Sequence, residues 1–319
     1  MGDINAFRNR LTKNARHFGK WAKRQGISCY RIYDCDIPEF PVSIDVYEEW
    51  AHLQEYDTRW KQTPEEHAGW VTAIQTATTE ILSLPASQVI FKLRSRQRGT
   101  AQYEKTGETG KDTVVTESGH KFIVNLAAYL DTGLFLDHRL TRQMVESRSK
   151  GKRFLNLFAY TGSFTVYAAC GGATSSVTVD LSNTYQDWTR RNLELNNIDL
   201  KKHRLVREDV FRFLNEGVSG GQQFDLIVMD PPSFSNSKKM EDILDIQRDH
   251  VKLIQQCMKL LSRDGELFFS NNLRTFKLDS AKLDAYEILD ITRRTIPEDF
   301  RNQKIHQCWI ISHKKQETS

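Results

Sequence analysis

Over residues 4–25, Phe7, Leu11, Ala15, Phe18 and Ala22 recur at three- and four-residue steps, with basic side chains on the other faces. That spacing predicts one amphipathic helix. Residues 29–46 read as strand pieces around Pro38 and Pro41, and residues 64–84 as a second helix. In VIFKLRSRQRG (89–99), Lys92, Arg94, Arg96 and Arg98 alternate strictly, which places all four on one face of a strand. Like charges so arranged repel each other unless an anion lies among them, which points to a polyphosphate partner; an edge strand protected by charge is the lesser alternative. Residues 107–112 read as a hairpin loop, with strands at 114–116 and 121–126.

From about residue 130 the rhythm becomes strand–helix alternation. A helix is expected near 138–149, with Asp137 as its N-cap. Strands follow at 154–158, 175–179, 203–207, 224–229, 266–270 and 305–312, separated by helices at 164–170, 183–197, 211–215, 243–261 and 281–289. Such repetition predicts an α/β domain with a parallel sheet covered on both faces, over residues 131–319, preceded by a smaller domain at 1–130. Ligands of such sheets bind at the carboxyl ends of the strands. Here those ends read Tyr160-Thr161-Gly162, Asp180, Asp209, Asp230-Pro231-Pro232 and Asn271-Asn272, five polar endings on one rim.

Composition narrows the class. No apolar run among the 319 residues reaches the length of a membrane span, and the first residues lack a signal-peptide core. The five cysteines are scattered without C-x-x-C, so neither a disulfide framework nor a metal site is expected, and a reducing cytoplasmic setting is. The net charge of +4 is unevenly spread: residues 1–31 hold Arg8, Arg10, Lys13, Arg16, Lys20, Lys23, Arg24 and Arg31 against Asp3 alone. Purely solvated helices usually mix both signs, so this stretch points to nucleic acid.

Strand 154–158, the turn at 160–163, a helix, and a strand ending in Asp180 form the first half of a nucleotide-binding crossover. The turn holds one glycine instead of G-x-G-x-x-G. It therefore suits an adenosyl group without phosphates, as in S-adenosylmethionine, better than a dinucleotide. Asp230-Pro231-Pro232-Ser233-Phe234 is the most specific signal: two prolines remove backbone donors after a buried strand, and Phe234 offers a ring for a flat base. It resembles the D/N-P-P-aromatic loop of methyltransferases acting on a nitrogen of a base.

TGLFLDHR, FLNLFAYTGS, VTVDLS, DPPSFSNSKKM and FSNN, in this order, resemble the bacterial 23S ribosomal RNA large-subunit methyltransferases. The likeness is to the guanine-N7 enzyme often found as the C-terminal half of a fused two-activity protein; this sequence matches that half, as a stand-alone enzyme or as part of a fused one. It extends to FRNRLTKN, CYRIYD, LQEY and QKIHQCW. The resemblance implies a class I S-adenosylmethionine-dependent fold, Rossmann-like, with a seven-stranded sheet whose last strand is antiparallel, behind an α+β RNA-binding domain. It implies that Asn156, Phe158, Tyr160, Thr161 and Gly162 line the methionine and ribose, and that Asp180, with Ser182 nearby, takes the ribose hydroxyls. Asp209 and Val210 face the adenine, Phe135, Asp137 and Arg139 close over the methionine end, and Asp230 and the prolines sit beside methyl and base. Asn271 and Asn272 are placed to read the guanine edge, or else form a plain turn. The RNA contacts are expected from Arg10, Lys13, Lys20, Arg24, Lys92, Arg94, Arg96 and Arg98, with 23S rRNA or a large-subunit assembly intermediate as partner.

Chemistry separates the relatives. Cytosine C5 methylation needs a thiolate to attack the ring, and the sequence after the fifth strand, Phe269-Ser270-Asn271-Asn272, holds no cysteine. Guanine N7 has a free lone pair and needs no general base, so His138, His203 and His250 are expected to be structural. Exocyclic-amine methylation (guanine N2 or adenine N6) and a non-catalytic RNA-binding module are the alternatives.

Overall fold

The first helix, α1 (Ile4–Gln25), starts where the Asp3 carboxylate accepts the Asn5 N–H at 2.9 Å, and stops at Gly26 with φ +63°. Its Phe7, Leu11 and Ala22 are buried as the spacing predicts. In the computed structural model, residues 2–56, 62–94, 110–129, 131–235 and 243–315 are described, Arg94 in its backbone alone. Arg96, Arg98 and the side chain of Arg94 therefore lie outside the described residues. The chain forms two compact units: Met1–Leu136 with Glu298–Asn302, and Asp137–Pro297 with Gln303–Ser319.

In the first unit, β1 (Cys29–Asp34), β2 (Val42–Tyr47) and β3 (Trp50–Tyr56) form an antiparallel meander. Helix α2 (Pro64–Leu82), opened by a Thr63/Glu66 capping box, carries the chain across to β4 (Val89–Arg94), parallel to β3. Phe7 and Leu11 of α1 and Trp70 and Ile74 of α2 share one core with Ile44 and Leu53 of the sheet. A separate hairpin follows, β5 (Asp112–Glu117) and β6 (His120–Asn125). Arg31 is the buried hub of this unit. Its guanidinium donates to both Asp45 oxygens at 2.7 and 3.0 Å and to Asp34 at 3.0 Å, and stacks 4.4 Å from the Phe300 ring centre. Its backbone N–H donates to Asp299 at 2.9 Å, which ties the returning segment 298–302 to β1.

Lys92 departs from the expected cationic face. It is 8% exposed, and its ammonium donates to the Tyr129 carbonyl. Its long aliphatic stem allows that burial, with the charged head satisfied by an oxygen.

The second unit contains α3 (Arg139–Arg148), β7 (Arg153–Leu157), α4 (Ser163–Cys170), β8 (Ser175–Val179), α5 (Asn183–Leu195), β9 (His203–Val206) and α6 (Val210–Ser219). It continues with β10 (Phe224–Met229), the two-residue pair β11 (Phe234–Ser235) and β12 (Leu244–Asp245), α7 (Ile246–Leu260), β13 (Leu261–Asn271), β14 (Tyr286–Asp290), α8 (Thr292–Thr295) and β15 (Gln307–His313). Seven strands form one sheet in the order β14-β15-β13-β10-β7-β8-β9, with β15 antiparallel to both neighbours and the other described pairings parallel. Neighbouring residues point to opposite faces: Phe154, Leu226, Val228 and Phe268 pack toward α3 and α4, whereas Leu155, Ile227, Met229 and Phe269 pack toward α6 and α7. The strand order reverses between β7 and β10, the place where such sheets open a crevice.

The helix expected at 281–289 is not formed. Residues 280–283 make one tight turn and Tyr286–Asp290 is the edge strand, with Ile288 opposite Ile311. Pairing with β15 supplies the backbone partners that a helix would have found within itself, so tertiary context overrides the local spacing.

Candidate active site

The site is built at the carboxyl ends of the central strands. After β7 the chain passes through three left-handed residues, Phe158 (φ +55°), Tyr160 (φ +52°) and Gly162 (φ +73°). Non-glycine residues pay for that conformation, and the surroundings hold it in place. The Tyr160 N–H donates to Asp180 Oδ2 at 2.9 Å, the Tyr160 carbonyl accepts from Thr189 Oγ1 at 3.1 Å, and the Thr161 carbonyl accepts from Asn192 Nδ2 at 2.9 Å. A Cβ on Gly162 would lie 2.3 Å from Thr189 Cγ2, so glycine is required there by helix α5. Thr189 and Asn192 thus shape the turn, and nothing in their local sequence marks them for it.

Asp180 closes β8. Its second oxygen accepts the Ser182 N–H at 2.9 Å, and Ser182 in turn caps α5 by accepting from Tyr185 at 3.3 Å. Burial pushes the Asp180 carboxyl up to about 6, against the lowering effect of the two N–H groups. Gln186 donates to the Val206 carbonyl at 2.8 Å and joins the ends of β8 and β9. Beyond β9, Asp209 caps α6 by accepting the Arg212 N–H at 3.1 Å, with Val210 buried as its first residue.

Three residues expected around the cofactor differ in how far they reach the rim. Asn156 is 1% exposed, and its amide donates to Thr165 Oγ1 at 3.0 Å, which lies 2.8 Å from Thr178 Oγ1. Phe158 is partly buried against the sheet core and partly exposed. Asn156, alternating inward from the buried β7, braces α4 against the sheet through Thr165. Thr161 is likewise fully buried.

Around Asp230 the geometry is richer than its neighbours in sequence imply. Ser270 Oγ, on the adjacent β13, donates to Asp230 Oδ1 at 2.7 Å, and His138 Nε2 lies 3.5 Å from Asp230 Oδ2. His138 stacks on His306 with ring centres 4.3 Å apart and planes 12° from parallel. His306 bonds Asp137 Oδ2 at 2.9 Å and Thr295 Oγ1 at 2.9 Å. Asp137 is therefore no N-cap: His138 occupies that position, without a side-chain cap bond, and the Asp137 carboxylate is turned to His306. Burial alone would raise the Asp137 carboxyl. As pH falls, the protonated form of His138, the His306 bond and Arg142 together hold it below the ordinary carboxylate range. Burial pushes the His138 imidazole below its ordinary value, against the pull of Asp230 and Asp137.

Potential ligand atoms of Asp137, His138 and His306 fall within 4.8 Å of one another. An ion takes an imidazole lone pair in the plane of the ring, and two rings stacked nearly parallel do not aim at one point. The contacts are those of a hydrogen-bonded stack.

Pro231 is buried and Phe234 is 49% exposed, at the start of the short β11–β12 hairpin. Ser233 donates to Asn272 Oδ1 at 2.6 Å. Asn271 is fully buried, its Oδ1 accepting the Leu273 N–H at 3.1 Å, and its Nδ2 has no partner among the described residues. It cannot read a base from there, whereas Asn272 is exposed. Arg139 is buried at the start of α3, and Phe135 is exposed in the first unit.

The rim fits an adenosyl cofactor by its donor set. Asp180 keeps lone pairs beyond its two backbone bonds, as a ribose diol requires, and α5 and α6 are opened by Ser182 and Asp209. Fold and rim define an S-adenosylmethionine-dependent methyltransferase, and the family model of that description matches residues 53–297. The ribosomal RNA large subunit methyltransferase K of Neisseria meningitidis serogroup B is 60% identical over 314 residues, covering 98% of this chain and 89% of that protein. The chain belongs to this family of S-adenosylmethionine-dependent methyltransferases. A ribosomal RNA large subunit methyltransferase K/L from Allochromatium vinosum is 50% identical over 311 residues; the match takes 96% of this chain and 42% of that longer protein. In fold, the chain is similar to the crystal structure of SMU.776 complexed with SAH, with TM-score 0.78 at 23% identity over 98% of this chain and 82% of the other.

Proposed function

We propose that this protein transfers a methyl group to N7 of a guanine in 23S rRNA, within the cytoplasm, on naked RNA or an assembly intermediate. S-adenosylmethionine supplies an electrophilic methyl carried on a sulfonium. Asp180 would hold its ribose hydroxyls, with Ser182 nearby, and Asp209 and Val210 its adenine. The backbone of 158–162, fixed by Asp180, Thr189 and Asn192, would line its methionine end. Asp230, Pro231 and Pro232 border the reacting atoms, and Phe234 offers a half-exposed ring on which a base can stack.

The observation that carries N7 is the lack of a usable thiol beside Asp230. The end of β13 reads Ser270-Asn271, and the nearby Cys308 is wholly buried, its thiol held protonated by burial and by the fields of Asp230 and Asp290. A ring nitrogen with a free lone pair asks only for placement against the methyl. The rRNA itself is supported by the names of the relatives. Lys13, Arg16, Lys20, Lys23 and Arg24 support it too: all are exposed on α1, with no ion pair among the described residues. Arg10 is partly engaged by Asp36 at 3.9 Å.

The His138–Asp230 contact favours a second reading, an exocyclic amine, because that reaction releases a proton which this pair can accept. Incubating rRNA from a strain lacking the gene with labelled cofactor, then mapping by mass spectrometry and by cleavage specific for N7-methylguanine, decides between them. Cleavage at the labelled guanine supports N7; label resistant to cleavage supports the amine.

A further inference from the structure

His138 has no place in the N7 chemistry above, yet it is held on several sides beside Asp230. It is 5% exposed. One face of the ring lies on His306, and Phe164 of α4 meets it edge-on at 5.8 Å. Its Nδ1 lies 3.4 Å from Thr141 Oγ1. His306 cannot swivel, since Asp137 and Thr295 engage both of its nitrogens at 2.9 Å. The antiparallel course of β15 is what delivers His306, just before its first residue, to the rim where the parallel strand β10 ends. A Thr141 hydroxyl donating to Nδ1 leaves the hydrogen on Nε2, which lies 3.5 Å from Asp230 Oδ2. Ser270 holds the other oxygen at 2.7 Å.

We infer that His138 is a positioning residue for methyl transfer: clamped on His306, it presents Nε2–H to Asp230 and, together with Ser270, fixes the carboxylate toward the base. The inference rests on the reading of Asp230 as part of the methyl-transfer site. Methylation at a ring nitrogen leaves the purine carrying positive charge, and a fixed carboxylate beside it stabilises that charge as it develops. A neutral His138 leaves the carboxylate its full charge, whereas a protonated one cancels it. The charged groups facing His138 are Asp137 and Arg142 from its own segment and helix, His306 ahead of β15 and Asp230 after β10. Burial keeps the ring neutral, so the transfer rate should fall as acid protonates it.

The test uses the full chain, saturating S-adenosylmethionine and large-subunit rRNA from a strain lacking the gene, in single-turnover rates from pH 5.5 to 8. Saturation removes the contribution of Asp180, which acts on cofactor affinity. His138→Gln keeps an N–H donor and should react within about fivefold of the unaltered rate at pH 8, without its fall in acid. His138→Ala should lose about ten- to a hundredfold in rate with the S-adenosylmethionine Kd from calorimetry unchanged. Imidazole 15N shifts of the cofactor-free protein should report the Nε2–H tautomer for His138. Unaltered rates and an unaltered acid limb in both variants, or an Nδ1–H tautomer, overturn the role. Should His138→Ala fail to fold, the acid limb of His138→Gln decides. Asp230→Asn separates the two levels: full activity in that variant removes the site reading itself, whereas an inactive Asp230→Asn beside unaffected His138 variants removes only the positioning role.

Discussion

Asp180 Oδ2 accepts the Tyr160 N–H at 2.9 Å, across twenty residues of chain. One carboxylate thereby closes the crossover and holds the left-handed turn that follows β7. The same burial that makes this bond effective raises the carboxyl to about 6. A carboxyl whose folded value exceeds its unfolded one stabilises the fold in acid and loses that contribution as pH rises through the folded value. The cofactor-free protein should accordingly lose part of its stability through this group as pH rises from about 4 to about 6. Ribose hydroxyls donate to the ionised form, so S-adenosylmethionine should bind about tenfold more tightly at pH 7 than at pH 5 and release a proton near pH 6. Calorimetry in buffers of different ionisation enthalpy measures both, and Asp180→Ala should abolish both.

Gly162→Ala should destabilise the second unit by about 2–4 kcal/mol, since the new methyl overlaps Thr189 and the residue keeps a positive φ. Urea denaturation measures the loss. Adding Thr189→Ser to relieve the overlap should recover part of it, and no recovery would mean that backbone strain alone is responsible.

Arg31→Ala leaves Asp45 and Asp34 without their buried partner and should cost about 3–5 kcal/mol. Amide exchange should rise through β1 and β2 while the S-adenosylmethionine Kd stays unchanged. Asp45→Asn in the Arg31→Ala background should restore stability, because the stranded charge is then gone.

Replacing Lys13, Lys20 and Arg24 together with Gln should weaken rRNA binding and flatten its salt dependence, by a slope of about 2 if each cation meets one phosphate of a single strand. Filter binding at several salt concentrations gives the slope. Cofactor affinity is expected to stay constant.

Phe234→Ala removes a half-exposed ring with little to contribute to the core. Its thermal stability should match that of the unaltered protein, while methyl transfer falls by the loss of about 1–3 kcal/mol of stacking. An unaltered rate would place the base elsewhere.

Much of the second unit was legible in sequence because buried parallel strands are short apolar runs and their ends are polar. Phe224–Met229 and Asp230-Pro231-Pro232 needed no tertiary information to be recognised. Tyr286–Asp290 was not legible, because Leu283, Ile288 and Leu289 suit a helix until β15 lies beside them. Lys92, Asn156 and Asn271 looked like outward polar groups; burial made them internal, with Lys92 and Asn156 donating to nearby oxygens and Asn271 accepting from Leu273.

By itself, then, the order of residues determined the alternation of strands and helices, the rim acids Asp180, Asp209 and Asp230, and the basic face of α1. These are local matters of period, capping and turn chemistry. Only the tertiary structure decided that His138 and His306, 168 positions apart in the sequence, stack beside Asp230, and that Thr189 and Asn192 hold the turn above Asp180. Those relations depend on which strand lies next to which and in what direction it runs, and no local periodicity encodes that.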